Sequence, residues 1–271
     1  MYFTTQSGTT VPVLQFGTAR MDTDDERRKV ISTALDAGYR HLDTAQMYGS
    51  ESAVGDAVRD ADLDREEVFI TTKLSGDNRT HDEVIDSTRD SLGRLETDYI
   101  DLLLIHFPNE DVSHRETLEA MNELVAEGAV KHIGVSNFSI AQTRDAIDYS
   151  DAPIRTNQVE YNINERKDDL LSFCIDENIV LTAYSPIGGG DVLDNETLGE
   201  IAERYNKTAA QIAIRWLLQQ PMVSPISMSS KPDRIRRNFD VFDFELSGGE
   251  MKALFENNKT PDTSLLSKLD L

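Results

Sequence analysis

A single cysteine, Cys174, stands among 271 residues, so no intrachain disulfide can form. A reducing compartment fits that usage. No apolar run approaches the roughly 18 residues a membrane-crossing helix needs, so no membrane partner is expected. The opening MYFTTQSGTT has neither a basic start nor an apolar stretch. A secretion signal is therefore not expected, and a cytoplasmic location is. No linker rich in Pro, Gly and Ser divides the chain, so one domain over residues 1–271 is expected. A chain of this length buries a core that needs no metal or disulfide staple.

Positive charge is also scarce. Lys and Arg total 27, nine of them lysine, against 49 Asp and Glu, a formal net charge of −22. Such a surface repels nucleic acid and anionic membranes, so neither is an expected partner. The acids are scattered (DTDDER, RDADLDREE, DNET) rather than gathered in one tail, which describes a uniformly acidic surface. Self-repulsion on this scale weakens the compact state unless salt screens it. The expectation is a halophilic protein from a high-salt interior.

What the chain does have is alternation. Eight short runs rich in Val, Ile and Leu are VLQFGT (13–18), HLDTA (41–45), VFITTK (68–73), YIDLLLIH (99–106), HIGVSN (132–137), IRTNQVE (154–160), IVLTAYS (179–185) and VSPISM (223–228). Amphipathic stretches separate them. Leu118, Met121 and Val125 fall on one helical face, as do Leu198, Ile201, Ala202 and Tyr205. Runs such as LLLI suit strands buried on both faces of a parallel sheet. Eight strand–helix units point to an α/β fold, a closed (β/α)₈ TIM barrel. A doubly wound open sheet would carry a Gly-rich turn after its first strand, and VLQFGTARMDTDD has no G-x-G-x-x-G. Residues before Val13 are expected to form a short cap, and those after about Leu246 a final helix and tail.

In such a barrel the active site lies at the C-terminal ends of the strands. Here those ends carry Thr18, Asp43, Lys73, His106, Ser136, Asn137, Gln158, Tyr184 and Ser185, nearly all polar or ionisable. Asp43, Lys73 and His106 end successive strands, and Tyr48 follows in the loop after Asp43. Each has a plainer use: a cap, a solvated charge, a structural histidine, a lid over the barrel mouth. Together they have a chemical logic. An ammonium beside a phenol lowers its pKa from about 10. Asp43 would hold Lys73 charged, and His106 would bond a substrate oxygen. The group suits proton donation to an oxygen that gains charge, as in a carbonyl receiving hydride. No side chain supplies hydride, so a cofactor must. A lysine beside the acid and a single histidine make a poor metal-ligand set, so no metal is expected.

The motifs GYRHLDTAQMYGSESAVG (38–55), VFITTKL (68–74), DYIDLLLIHFP (98–108), IGVSNF (133–138), NQVEYN (157–162), AYSPIG (183–188) and KPDRIRRNF (231–239) occur in order. With them the sequence resembles the aldo-keto reductase superfamily along nearly its whole length, in particular its short prokaryotic members of the 2,5-diketogluconate-reductase type. The resemblance implies NAD(P)H-dependent reduction of an aldehyde or ketone, cofactor bound first. It makes Tyr48 the general acid, with Lys73 and Asp43 tuning it and His106 orienting the carbonyl. Ser136, Asn137 and Gln158 match positions that bind the nicotinamide amide, and Tyr184 the aromatic that stacks on its ring. Thr18, Ser185, Ile187 and Gly188 match the cofactor loops. Ile226, Ser227, Ser229, Arg234 and Asn238 match the adenosine-phosphate end. The family lysine for the 2′-phosphate falls on Met228, while Arg234, Lys231 and Arg237 remain nearby. NADP(H) is favoured on this basis, with NAD(H) the alternative.

Two family tryptophans of the substrate pocket are replaced by Ala19 and Phe107; the only tryptophan, Trp216, sits in a helix-like core segment. Met21, Met47 and Phe107 are candidates to line the substrate pocket with Tyr48 and His106. A short polar tail from residue 257 suggests an open pocket. Gly188-Gly189-Gly190 suits a loop over the cofactor or a plain connection. A small-molecule carbonyl is the expected partner, and a monomer is expected over an obligate oligomer. A non-catalytic scaffold on the same fold is the alternative function.

High-salt adaptation has a direct readout. The Debye length falls from about 10 Å at 0.1 M salt to about 3 Å at 1 M. The urea unfolding midpoint is therefore expected to rise steeply between about 0.1 M and about 3 M KCl; equal midpoints would refute the assignment.

Overall fold

A computed structural model describes residues 2–4, 10–21, 23–109, 111–256, 263–269 and 271. Eight parallel strands close on themselves: β3 (Gln15–Gly17), β4 (His41–Asp43), β5 (Phe69–Leu74), β6 (Ile100–Ile105), β7 (Val130–Ser136), β8 (Ile154–Glu160), β9 (Val180–Tyr184) and β10 (Val223–Ser227). They follow the order β10-β3-β4-β5-β6-β7-β8-β9, which is chain order closed into a ring. Before them, β1 (Tyr2–Thr4) and β2 (Thr10–Pro12) pair antiparallel, the expected N-terminal cap. All six residues of β6 are buried, which is why LLLI carries no alternation.

Helices cover the outside: α1 (Asp24–Ala37), α2 (Glu51–Asp60), α3 (His81–Leu95), α4 (His114–Ala126), α5 (Ile140–Tyr149) and α6 (Asp168–Asp176) each follow one strand. Their starts are chemically marked. Thr23 accepts from the Glu26 amide, and Thr80–Glu83 and Ser139–Gln142 form capping boxes. Between β9 and β10 lie two helices, α7 (Glu196–Tyr205) and α8 (Ala209–Leu218), where simple alternation expects one. Asn206 ends α7 in the left-handed conformation, and a Thr208–Gln211 capping box starts α8 three residues after α7 stops. After β10 come α9 (Pro232–Phe239), α10 (Gly248–Glu256) and α11 (Thr263–Lys268). Residues 257–262 of the expected tail lie outside the described residues. The part beyond them is a helix: Lys268 Nζ reaches Asp176 Oδ1 at 2.6 Å, tying α11 to α6.

One apolar cluster joins β3–β7 to α1–α5, and a second joins β8–β10 to α6–α8 and the C-terminal helices. Trp216 is wholly buried in the second, 4.8 Å from the Phe255 ring, so it is a packing residue. Cys174 is buried there too, and burial pushes its thiol up to about 12, which leaves it inert. The barrel interior toward the N-terminal end is polar: Gln15 donates to Ser224 Oγ at 2.9 Å, and Thr156 and Thr182 hydroxyls meet at 2.7 Å.

Helix α2 approaches the end of α3 so closely that a Cβ on Gly55 would stand 2.6 Å from the Leu95 carbonyl oxygen. That oxygen is backbone and cannot step aside. Gly93, within α3, has no heavy atom within 4 Å of the same construction. Gly55→Ala is expected to cost about 1–3 kcal/mol by overpacking. Gly93→Ala should add about 0.5–1 kcal/mol through helix propensity. Denaturant unfolding at fixed high salt reads both; equal signs would contradict the packing described.

Candidate active site

The strand register brings the ionisable groups together. Asp43 pairs with Thr71 and Lys73 with Leu104, so Asp43, Lys73 and His106 stand on neighbouring strands at the same rim. Lys73 is 0% exposed and Asp43 3%. Lys73 Nζ donates to Asp43 Oδ1 at 2.6 Å and to the Thr44 carbonyl at 2.8 Å. The other carboxylate oxygen, Asp43 Oδ2, accepts from Gln158 Nε2 at 2.8 Å, from β8 across the barrel. Burial pulls the Lys73 ammonium down from its ordinary value, and the Asp43 carboxylate opposes that pull.

Tyr48 ends a short 3₁₀ turn, Gln46–Tyr48, closed by Gly49 in the left-handed region. The turn is tied down on several sides. Arg27 donates to the carbonyls of Gly49 (2.9 Å) and Tyr48 (3.2 Å), and Gln46 Oε1 accepts from the Ser75 amide at 2.7 Å. A chain of hydroxyls, Thr44–Ser50–Thr18, runs beneath it at 2.8 and 2.9 Å. The result sets Tyr48 Oη 3.4 Å from His106 Nε2, with the rings edge to face. Lys73 Nζ lies under the Tyr48 ring, 5.0 Å from its centroid.

The phenol does not behave as sequence reasoning expects. Burial first, then the Asp43 carboxylate, push the Tyr48 pKa up, while Arg20 pulls it down. The ammonium expected to acidify the phenol is locked against a carboxylate, so Tyr48 faces a nearly neutral pair rather than a free cation. His106 is driven the other way: burial, then Lys73 and Arg79, bring its imidazole down to about 3. The ring is neutral at physiological pH and holds one N–H.

A cleft of about 480 Å³ opens over these groups. Its wall includes Asp43, Met47, Tyr48, His106, Phe107, Ser136, Asn137, Gln158, Tyr184, Ser185, Ile187, Ile226, Ser227 and Asn238. Ser136 Oγ donates to the Gln158 carbonyl at 2.8 Å, Asn137 Nδ2 to Ser136 Oγ at 3.1 Å, and Tyr184 Oη to Asn137 Oδ1 at 3.0 Å. Lys73 and Thr18 sit behind the wall, Thr18 donating to the Asp43 carbonyl at 3.1 Å. Gly188 is beside the cleft, and Gly189 lines it. Ser229 and Arg234 do not line it: Ser229 is half-buried, and Arg234 is exposed in the first turn of α9.

Met21 departs from expectation. It is buried in the core with Phe16 and Ile31 and does not line the cleft, because the chain turns inward after Arg20. Met47 (59% exposed) and Phe107 (45%) do line it, Phe107 stacking on His106 at 4.5 Å. Among the described residues, none beyond Asn238 contributes to the wall.

Two arginines were not singled out from the sequence. Arg79, 2% exposed, donates to the Phe107 carbonyl at 3.1 Å and stays cationic, although burial brings it down to about 10. It sits in the polar loop DNRT, where nothing local signals burial. Arg20 lines the cleft directly. It follows the end of β3, and the strand-end rule applied two residues past Thr18 would have reached it.

The aldo/keto reductase family model matches residues 13–259 of the chain. The chain belongs to the aldo/keto reductase family. It is 36% identical to the glyoxal reductase of Bacillus subtilis (strain 168), over 93% of this chain and 91% of that one. It is 35% identical to the NADP-dependent D-sorbitol-6-phosphate dehydrogenase of Malus domestica, over 98% and 96%. Among solved structures, a putative 2,5-diketo-D-gluconic acid reductase B superposes with a TM-score of 0.89 at 40% identity, covering 97% of this chain and 94% of that one. An aldo-keto reductase of Bombyx mori in complex with NADP gives 0.89 at 33% identity, over 98% and 96%. This aldo/keto reductase is thus an NAD(P)H-dependent enzyme that reduces an aldehyde or ketone to an alcohol.

His41 shares the low value of His106. Burial brings it to about 3, and its Nε2 meets Thr71 Oγ1 at 2.8 Å. In nitrogen-detected NMR both rings are expected to remain neutral from pH 7 down to about pH 4, while unfolded histidine titrates near 6.5. The unfolded chain takes up protons that the folded one refuses, so both groups lower stability as pH falls from about 6.5 toward 3. A ring titrating near 6.5 would contradict the burial described.

Proposed function

We propose that Tyr48 donates the proton in carbonyl reduction, that His106 orients the carbonyl oxygen, and that Lys73 and Asp43 act through Tyr48. The observation that carries this is the meeting of Tyr48 Oη and His106 Nε2, 3.4 Å apart, over the buried Lys73–Asp43 pair at the floor of the cleft. Two donors converging on one point is the geometry a developing oxyanion requires. Such bonds are commonly long before ligand binds and tighten afterwards.

The cleft fits a nicotinamide dinucleotide. Amide and hydroxyl groups of Asn137, Gln158 and Ser136 face the place for a carboxamide, and the Tyr184 ring offers a flat wall. Gly189 lines the cavity with no heavy atom within 4 Å of where a Cβ would stand, leaving room for a bulky polar group. When bound, the dinucleotide supplies the hydride.

The chain's own part is the proton. A neutral His106 donates its single N–H to the carbonyl oxygen and polarises it without competing for the proton. Tyr48, kept protonated by burial and by Asp43, enters the reaction as a full donor. An alkoxide is more basic than a phenolate, so the O–H bond of Tyr48 breaks as the alcohol O–H forms. The phenolate left behind is steadied by Lys73 beneath its ring and recovers its proton from water.

NADP(H) over NAD(H) belongs to the same proposal. Arg234, in the first turn of α9, and Lys231, its N-cap, are exposed cations at a helix start with no side-chain cap. Backbone N–H groups, helix dipole and a guanidinium fork together suit a phosphate monoester. They stand in for the lysine that Met228 replaces. A monomeric, cytoplasmic enzyme is likewise proposed; the single, buried Cys174 suits a reducing interior.

The test is kinetic. With an aldehyde panel at high salt, Tyr48→Phe is expected to lower kcat about 100-fold or more while NADPH binding persists. Wild-type kcat/KM with NADPH should exceed that with NADH. Full turnover by Tyr48→Phe would remove the assigned acid, and an NADH advantage would reverse the cofactor preference.

A further inference from the structure

Among the described residues Arg20 is the one cation that lines the cleft. With 49 acids against 27 bases, most basic side chains have a carboxylate to meet. Arg27 pairs with Asp24, Arg28 and Arg59 with Asp56, Arg94 with Glu51 and Arg65 with Asp101. Arg20 lines the cleft, and among the described residues no carboxylate stands within salt-bridge distance of it. The other charges at the cleft floor, Asp43 and Lys73, neutralise each other. Arg20 therefore adds a positive charge to the cleft wall, with Arg79 a second cation behind it near His106. Its neighbours in the wall are the small Ala19 and the exposed apolar Met47 and Phe107. Its charge also bears on the Tyr48 phenol, so it lies within electrostatic reach of the reacting oxygen.

We propose that Arg20 binds an anionic group carried by the carbonyl substrate, making this enzyme selective for aldehydes or ketones that bear a carboxylate or phosphate. This rests on Tyr48 and His106 being the groups at the carbonyl oxygen. The general field of the protein repels such substrates, so a local fork is what admits them. A guanidinium matches carboxylate and phosphate with two parallel bonds, while Met47 and Phe107 receive the apolar body. A dinucleotide pyrophosphate has the same chemistry and is the competing claimant on Arg20.

The experiment compares 4-carboxybenzaldehyde with its neutral amide, 4-carbamoylbenzaldehyde, at about 1 M KCl, where long-range repulsion is screened. The quantity read is the ratio of the two kcat/KM values, acid over amide. Arg20→Gln is expected to lower that ratio about 10-fold or more, the scale of one charge-assisted bond, and Arg20→Lys to restore part of it. Because Arg20 is exposed at a loop surface, both variants should fold, and circular dichroism checks that. The NADPH dissociation constant is measured alongside by cofactor fluorescence. A ratio that stays constant overturns the proposal, whether the two rates hold or fall together. A constant ratio with weakened NADPH binding assigns Arg20 to the cofactor phosphates instead. Reduction of the amide by the wild type tests the carbonyl-reductase assignment separately, since failure there is independent of the ratio.

Discussion

A wholly buried ammonium is the constraint around which the active-site end of this barrel is arranged. Removing a lysine from water costs several kcal/mol even after relaxation, and that cost is offset only by close, well-aimed partners. Lys73 finds two oxygens, Asp43 Oδ1 and the Thr44 carbonyl, while Asp43 uses its second oxygen to hold Gln158 from the far side. Three strands, β4, β5 and β8, are thereby pinned at one level. Slipping β4 or β5 would leave a charge without its partner, which is more destabilising than never having buried the pair, and slipping β8 would cost Asp43 a hydrogen bond.

The same pair changes what the phenol experiences. A free cation near Tyr48 would favour phenolate; an ammonium already neutralised by a carboxylate does so weakly, and the Asp43 charge acts against it. Burial then dominates and Tyr48 stays protonated. His106, poor in solvent and near two cations, stays deprotonated. Two groups whose environments drive their pKa values apart are thus held in different states at neutral pH, the phenol protonated and the imidazole neutral. The proton transfer proposed for Tyr48 does not require the phenol to be unusually acidic, because an alkoxide is the stronger base.

The acidic surface and the cleft have opposite electrostatics. Outside, scattered Asp and Glu give the net charge of −22. Inside, Asp43 and Lys73 pair with each other, and Arg20 lines the cleft. Concentrated salt screens the surface over a few ångströms, while contacts inside a partly enclosed cleft are screened less. An acidic exterior and anionic ligands are compatible under those conditions.

Most of the barrel was legible in the sequence. Strands buried on both faces are short unbroken Val/Ile/Leu runs, and all eight were located within two or three residues of their ends. Polar residues closing those runs marked the rim. The split between α7 and α8 was written in Asn206 and the Thr208–Gln211 box, but both helices are apolar on one face and read as one unit. Arg79 and Met21 could not be placed from local pattern. Whether a loop residue turns in or out depends on which strand ends surround it.

Fold, family and the set of ionisable residues at the strand ends could be read from the chain, because hydrophobic periodicity and motif order are properties of the chain alone. The expected Lys73–Asp43 pair is present, but its strength against Tyr48 became visible only in three dimensions, as did Arg79 buried beside His106 and Arg20 facing the cleft with no carboxylate in reach among the described residues. Electrostatic influence depends on distance and burial in three dimensions, and neither can be read from spacing along the chain.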